Sequence, residues 1–249
     1  MPILLGVPAE FSSILAAGCV TNSLLKVVNI VEPLHILIAD DHQLVRKGVR
    51  ALLQSHAGWE ICGEARTGRE TVAMAIELRP DIVILDISMP DLNGVDAARR
   101  IRTASKNTEI LILSVHYSDQ LIREIIDAGA RGYVLKSDSD CDLLIAVETI
   151  ARHKPYFTSQ AREVIQSEST NSSGPVRKIP QSFRDRITSR EREVIQLLSE
   201  GKRNKEISSL LNISIKTVET HRSNIMRKLE IHSISDLVRY AVRNQIIEP

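Results

Sequence analysis

The chain has 249 residues, 43% of them hydrophobic, and a formal net charge of +1. That length allows two ordinary domains. No apolar run reaches the roughly 18 residues needed to cross a bilayer, so no membrane span is expected. The charge is unevenly spread: residues 34–156 carry 15 Lys/Arg against 18 Asp/Glu, and residues 187–249 carry 11 against 8. An acidic first half and a basic second half call for different partners. Cys19, Cys62 and Cys141 are odd in number, widely spaced and form no CxxC, which argues against a disulfide framework and fits a reducing cytoplasm. The seven histidines show no metal-ligand spacing, so packing or surface roles are expected for them.

Residues 1–33 are fairly apolar, with Lys26 their only basic residue, and have no sustained periodicity. A secretory signal places basic residues before its apolar core. Nothing basic precedes the apolar stretch at 14–20, so a poorly ordered N-terminal extension is expected. From Leu34 the pattern becomes regular. The run 34–39 ends at Asp40-Asp41, and 43–54 reads as a helix with Val45, Val49, Leu52 and Leu53 on one face. A strand at 59–65 and a helix at 67–78 follow; Arg79-Pro80 stops the helix. The strand 82–85 leads to Asp86 and the helix 94–104. The strand 109–113 ends at Ser114 before a helix at 119–128. A short strand at 132–135 ends at Lys136, and a helix at 140–151 closes the series. Five strand–helix units in strict alternation predict a doubly wound α/β domain with a five-stranded parallel sheet. All strand ends of such a sheet share one edge, so Asp40, Asp41, Asp86, Ser114 and Lys136 can converge there.

Residues 157–186 are read as a flexible linker, polar and breaker-rich around 166–175. From Ile187 the pattern is purely helical. Thr188 and Glu191 form a capping-box signature. Helices are expected up to Gly201, over 204–211, over 215–229 with Ser214 as cap, and over 233–244. In the third of these, Val218, Ile225, Met226 and Leu229 fall on one side and Lys216, Glu219, Thr220, Ser223 and Arg227 on the other. A short polar helix after a tight turn is the helix-turn-helix arrangement, whose second helix enters the major groove.

Three carboxylates at one sheet edge repel by roughly several kcal/mol at intermediate dielectric. Such a cluster raises its pKa values or binds a hard cation. All-oxygen ligation suits Mg²⁺ with open positions for phosphate oxygens. With Lys136 and Ser114 beside it, the cluster reads as a site for phosphoryl transfer to a carboxylate nucleophile.

Asp40-Asp41, the Asp86-Ile-Ser-Met-Pro90…Gly94 signature, Ser114, Tyr133 and Lys136 resemble the receiver domain of bacterial two-component response regulators over residues 34–153. The resemblance implies Asp86 as phosphoacceptor, fed by a phosphohistidine on a sensor histidine kinase. It implies Mg²⁺ bound by Asp40, Asp41, Asp86 and the backbone carbonyl of Ser88. Ser114 and Tyr133 would be the switch pair, and Lys136 would neutralise the phosphate. One departure is Ser137, where many receivers carry proline. Residues 188–229, from Thr-Ser-Arg-Glu-Arg-Glu-Val through Asn204-Lys-Glu-Ile207 to Lys216-Thr-Val-Glu-Thr-His-Arg-Ser-Asn-Ile225, resemble the LuxR-type DNA-binding domain. This implies recognition-helix contacts to double-stranded DNA at Lys216, Glu219, Thr220 and Ser223, and phosphate contacts from Thr217, Arg222 and Arg227. Glu219, Thr220 and Ser223 are the base-reading candidates; Glu219 would accept from cytosine and repel phosphate.

Together the halves resemble the NarL/FixJ type of response regulator: a cytoplasmic transcription factor, not an enzyme, that pairs as a homodimer when phosphorylated. Its receiver is expected over 34–156 and its DNA-binding domain over 187–249. A Mg²⁺-dependent phosphatase with an Asp nucleophile would carry Asp-x-Asp, and residue 88 is Ser. An unphosphorylated dimerisation module is disfavoured by the intact acidic set with Ser114 and Lys136. A small-molecule-sensing LuxR regulator is disfavoured by the receiver chemistry of the first domain.

Overall fold

A computed structural model of the chain describes residues 33–138, 140–170 and 187–247, with the side chains of 166–170 excepted. The expectation for the N-terminal extension falls, Pro33 apart, outside these residues. Strands β1 (Leu34–Ala39), β2 (Trp59–Ala65), β3 (Ile82–Asp86), β4 (Glu109–Ser114), β5 (Gly132–Leu135) and β6 (Tyr156–Phe157) form one parallel sheet in the order β2-β1-β3-β4-β5-β6. The connecting helices are α1 (Gln43–Gln54), α2 (Gly68–Leu78), α3 (Gly94–Ala104), α4 (Asp119–Asp127) and α5 (Asp140–Ala151). This is the doubly wound α/β sheet expected, with a sixth strand added.

Successive strand residues point to opposite faces, and both faces are covered. Leu37, Val83, Leu85, Ile110, Ile112 and Tyr133 pack into one apolar cluster with residues of α2, α3 and α4. Ile36, Ile38, Ile82, Ile84, Leu111 and Val134 pack into a second with α1 and α5. Burial on both sides explains why the central strands read as unbroken apolar runs. Burying each Leu or Ile contributes about 1.5–3 kcal/mol, enough to hold a charged cluster at the sheet's edge.

The linker expectation needs correcting at its start. The described part of 157–186 is ordered: β6 pairs with β5, and α6 (Ser159–Thr170) packs on α4. Phe157, Ala161 and Val164 are buried, with Ile165 packed beside them, so an apolar stripe at helical spacing holds the segment to the receiver. The polar run from Gln166 onward masked that stripe in the sequence. Residues 171–186 of the expected linker lie outside the described residues.

Beyond them, α7 (Ser189–Ser199), α8 (Asn204–Leu211), α9 (Ile215–Leu229) and α10 (Ile234–Arg243) enclose a third apolar cluster around Val194, Leu197, Ile207, Val218 and Leu237. Thr188 and Glu191 make the expected capping box on α7. The α8–α9 turn passes through Asn212 at φ 51°, a left-handed conformation that Asn tolerates better than most residues. Ser214 then caps α9 by accepting from the Thr217 amide. Among the described residues, no helix is long and apolar enough to cross a membrane.

A close backbone approach joins β3 to α3. A Cβ on Gly94 would lie 2.0 Å from the carbonyl oxygen of Asp86, while the Gly94 amide donates to Ile87 O at 2.8 Å. Backbone blocks the space, so no side-chain rotation relieves it. Gly94→Ala is therefore expected to cost at least the about 1–3 kcal/mol typical of overpacking, read as a lower midpoint in urea unfolding. An unchanged midpoint would show that the loop gives way freely.

Candidate functional site

Sheet register brings the chemistry to one edge. Ala39 pairs with Leu85, Asp86 with Leu113, and Ser114 with Leu135. Asp40, Asp86, Ser114 and Lys136 thus lie at adjacent strand ends. The Lys136 ammonium is 2.7 Å from Asp40 Oδ2 and 3.0 Å from Asp86 Oδ1. Both carboxylates are almost wholly buried, each with 3% of its side chain exposed, whereas Asp41 sits at the rim. Asp86 Oδ2 is buried without a hydrogen-bond partner.

Two neighbours escaped the sequence reading. His42 donates its backbone amide to Asp40 Oδ1 at 2.8 Å, and its Nδ1 lies 2.8 Å from Asp41 Oδ1. Potential ligand atoms of Asp40, Asp41, His42 and Asp86 all fall within 4.8 Å of one another. A histidine expected to have only a packing or surface role is thus part of the cluster. Arg46, buried on α1, donates from Nη1 to the carbonyls of Asp40 at 2.6 Å and Asp41 at 3.1 Å, and pairs with Glu64 at 3.3 Å. It fixes the backbone that presents the two aspartates. Its one legible signal was position, three residues before Val49 on the helix face turned to the sheet.

Burial pushes the Asp86 carboxyl up to about 6, and the Asp40 charge adds to that rise; Lys136 opposes it. Burial by itself would lower the Lys136 pKa, but Asp86 and Asp40 outweigh it and hold the ammonium charged. The buried core therefore sets two carboxylates against one cation, with a third carboxylate at the rim and an unused lone pair on Asp86. A hard divalent cation with oxygen ligands fits such a donor set.

Ser114 and Tyr133 meet through one residue. The Ser114 hydroxyl oxygen accepts from His116 N at 3.0 Å, and the Tyr133 hydroxyl donates to His116 O at 2.6 Å. The Tyr133 ring is fully buried, and burial raises its pKa, so the phenol stays protonated as a donor. Ser88 sits half-buried in the loop after β3.

In α9, Val218 and Ile225 are buried, while Lys216, Thr217, Glu219, Thr220, Ser223 and Arg227 are exposed and Arg222 is half-buried. The Thr220 hydroxyl donates to Lys216 O at 2.9 Å, which occupies it within its own helix. Arg222 also lines an open cleft together with Lys202, Arg203 and Lys205. The sequence reading missed these last three, although Lys-Arg-Asn-Lys at the start of α8 was a visible basic cluster.

Helix α7 lies against the loop that follows Asp86. The Gln196 amide accepts from Asn93 N at 2.8 Å and donates to Met89 O at 2.8 Å, and Glu200 accepts from Asp91 N at 3.1 Å. Glu193 Oε1 takes Arg69 at 2.7 Å and Arg100 at 2.6 Å, and its Oε2 takes Arg190 at 2.7 Å. Arg192 pairs with Glu124 of α4 at 2.8 Å. Partners this far apart in the chain leave no local pattern.

Comparison with known proteins agrees with both halves. The family described as "Response regulator receiver domain" matches residues 36–148, and "Bacterial regulatory proteins, luxR family" matches residues 185–241. The transcriptional regulatory protein LiaR of Bacillus subtilis is 33% identical over 214 residues, which cover 86% of this chain and 99% of LiaR. A structure of the RcsB response regulator of Salmonella typhimurium, reported for its conformational dynamism in DNA interaction, superposes with a TM-score of 0.58 at 25% identity, over 84% of this chain and 96% of that one. A structure of two RcsB dimers bound to two parallel DNAs superposes with a TM-score of 0.50 at 25% identity, over 84% and 97%.

The raised pKa of Asp86 has a direct consequence for stability. Between about pH 4 and 6 the folded state holds a proton that the unfolded state releases, so stability falls as pH rises through that window. A shift from 3.8 to about 6 corresponds to about 3 kcal/mol. In metal-free buffer, calorimetry of wild type is expected to show this loss and Asp86→Asn to lack it. Parallel pH profiles for the two proteins would assign the loss to other groups.

Proposed function

The chain belongs to the two-component response regulators of the NarL/FixJ type, DNA-binding regulators of transcription that join a receiver to a LuxR-type domain, and from that premise we propose that Asp86 is its phosphoacceptor. The observation that carries this reading is the ammonium of Lys136 held between Asp40 and Asp86, with the second Asp86 oxygen buried and unpartnered. That oxygen is free to attack phosphorus. The donor is a phosphohistidine on a sensor histidine kinase: its P–N bond breaks, an acyl phosphate forms on Asp86, and the imidazole leaves.

Asp40, Asp41, Asp86 and the Ser88 carbonyl would hold Mg²⁺, which when bound offsets the carboxylate charge and ligates phosphoryl oxygens. Lys136 then turns from the carboxylates to a phosphoryl oxygen. Ser114 offers its hydroxyl to the same group, and leaving His116 N frees the Tyr133 contact to rearrange. Residues 34–156 carry this receiver chemistry, with the following strand residue and helix attached. Residues 187–249 carry DNA binding through Lys216, Thr217, Glu219, Thr220, Arg222, Ser223 and Arg227 of α9. The phosphorylated protein acts as a homodimer on two-fold sites in the cytoplasm, in line with the RcsB dimers seen on DNA.

With Mg²⁺ and acetyl phosphate, wild type is expected to take up one phosphoryl group, resolved on a phosphate-affinity gel, and Asp86→Asn none. Equal incorporation would remove Asp86 from its role. For the other half, Arg222→Ala and Arg227→Ala should each weaken binding to any duplex and lower the slope of log K against log salt by about one. Glu219→Ala should relax base preference and leave that slope unchanged. Salt slopes equal to wild type in both arginine variants would place the phosphate contacts elsewhere.

A further inference from the structure

The carboxylate cluster has a second buried cation beside it, which the chemistry of Asp86 does not use. The Arg46 side chain is 3% exposed. Its Nη1 donates to two successive carbonyls, at 2.6 Å to Asp40 O and 3.1 Å to Asp41 O. Two neighbouring peptide oxygens that share one donor turn towards it together, which fixes the main chain from which both aspartate side chains leave. Those side chains are engaged elsewhere. Asp40 Oδ1 accepts from the His42 amide, Asp40 Oδ2 meets Lys136, and Asp41 Oδ1 meets His42 Nδ1.

Arg46 is itself held in place. Its Nε pairs with Glu64 Oε2 at 3.3 Å, and Glu64 takes Arg50 through its other oxygen. Burial by itself would raise the Glu64 pKa, but Arg50 and Arg46 outweigh it and keep the carboxyl below its ordinary value. Glu64 belongs to β2, in register with Ile38, and the next residue of β2, Ala65, accepts from the Asp40 amide at 3.2 Å. The edge strand thus holds the Asp40-Asp41 loop twice, once through main chain and once through the Glu64–Arg46 pair.

We propose that Arg46, oriented by Glu64, is a positioning residue for the divalent cation: it holds the main chain of Asp40 and Asp41 so that both carboxylates meet one ion. This rests on the reading that Asp40, Asp41 and Asp86 hold Mg²⁺. Charge and geometry make opposite predictions for Arg46. A guanidinium beside the cluster repels a cation, so by charge alone its removal would tighten metal binding. By geometry its removal weakens binding, because the ion then has to order two released carboxylates. Groups that orient metal ligands from outside the coordination sphere are worth about 10–100-fold in affinity. Lysine keeps the charge and lacks the planar fork that reaches the carbonyls and Glu64 at once, so Arg46→Lys isolates the geometric part.

The test uses the full chain, with Mn²⁺ as the probe, read by the electron paramagnetic resonance of the free ion, and Mg²⁺ by competition. Arg46→Lys, Arg46→Met and Glu64→Gln are each expected to bind both ions about tenfold or more weakly. With acetyl phosphate, the Mg²⁺ concentration for half-maximal phosphorylation should rise by the same factor, and saturating Mg²⁺ should make up the deficit. A general folding defect would not be relieved in this way. If Arg46→Met does not fold, Arg46→Lys and Glu64→Gln decide the matter. Wild-type affinity in those two, or tighter binding in Arg46→Met, would overturn the proposal. Asp41→Asn removes a ligand and should lose affinity whatever Arg46 does; unchanged binding there would instead overturn the reading of the metal site.

Discussion

One ammonium shared by two buried carboxylates governs this molecule. Asp40 and Asp86 lie side by side because the parallel register leaves them no alternative. Without Lys136 their charges would sit uncompensated in a region almost closed to water. Removing one member of a buried charge set costs about 3–5 kcal/mol, so Lys136 supports the receiver's fold as well as its proposed chemistry. One ammonium leaves one charge of the pair uncompensated, and burial above all, with the Asp40 charge beside it, keeps the Asp86 pKa raised. That residual negative charge leaves the site receptive to a cation and then to a phosphoryl group.

The remaining polar groups of the edge serve this core at one remove. Arg46 ties down the carbonyls of Asp40 and Asp41. His42 supplies an amide to one carboxylate and an imidazole to the other. His116 joins Ser114 to Tyr133 through the two polar atoms of its own backbone. A hydroxyl that turned away from that amide would leave the Tyr133 contact at His116 O in place. Tyr133 is buried in the cluster that also packs α4, so the route from strand edge to helix is short.

Much of this was legible in the sequence, for a physical reason. Apolar runs ending in Asp86 or Ser114 are local signals, and the geometry of parallel sheets converts local positions into a shared edge. The α9 faces followed the same logic, since Val218 and Ile225 turned inward and Lys216, Glu219 and Ser223 outward. What stayed hidden depended on tertiary contact. The stripe Phe157, Ala161, Val164 was too short to outweigh the serines and glycine that follow. Arg46 looked like any helix arginine until its burial was known. Nothing local marked Glu193 and Gln196, because their partners stand about a hundred residues away.

The cluster around Glu193 also bears on how such proteins are assembled. Receivers and DNA-binding domains are often pictured as interchangeable parts on a string. Here Arg69 and Arg100 converge on one oxygen of a residue that belongs to the other half. Graft this receiver onto a helical domain lacking an acid at that place, and the two guanidinium groups face each other across an empty seat, like charge against like. The pair thus acts as a test of partnership. Arg69, Arg100 and Glu193 are matched across the two domains, and a domain without the acid would leave both guanidinium groups without this partner.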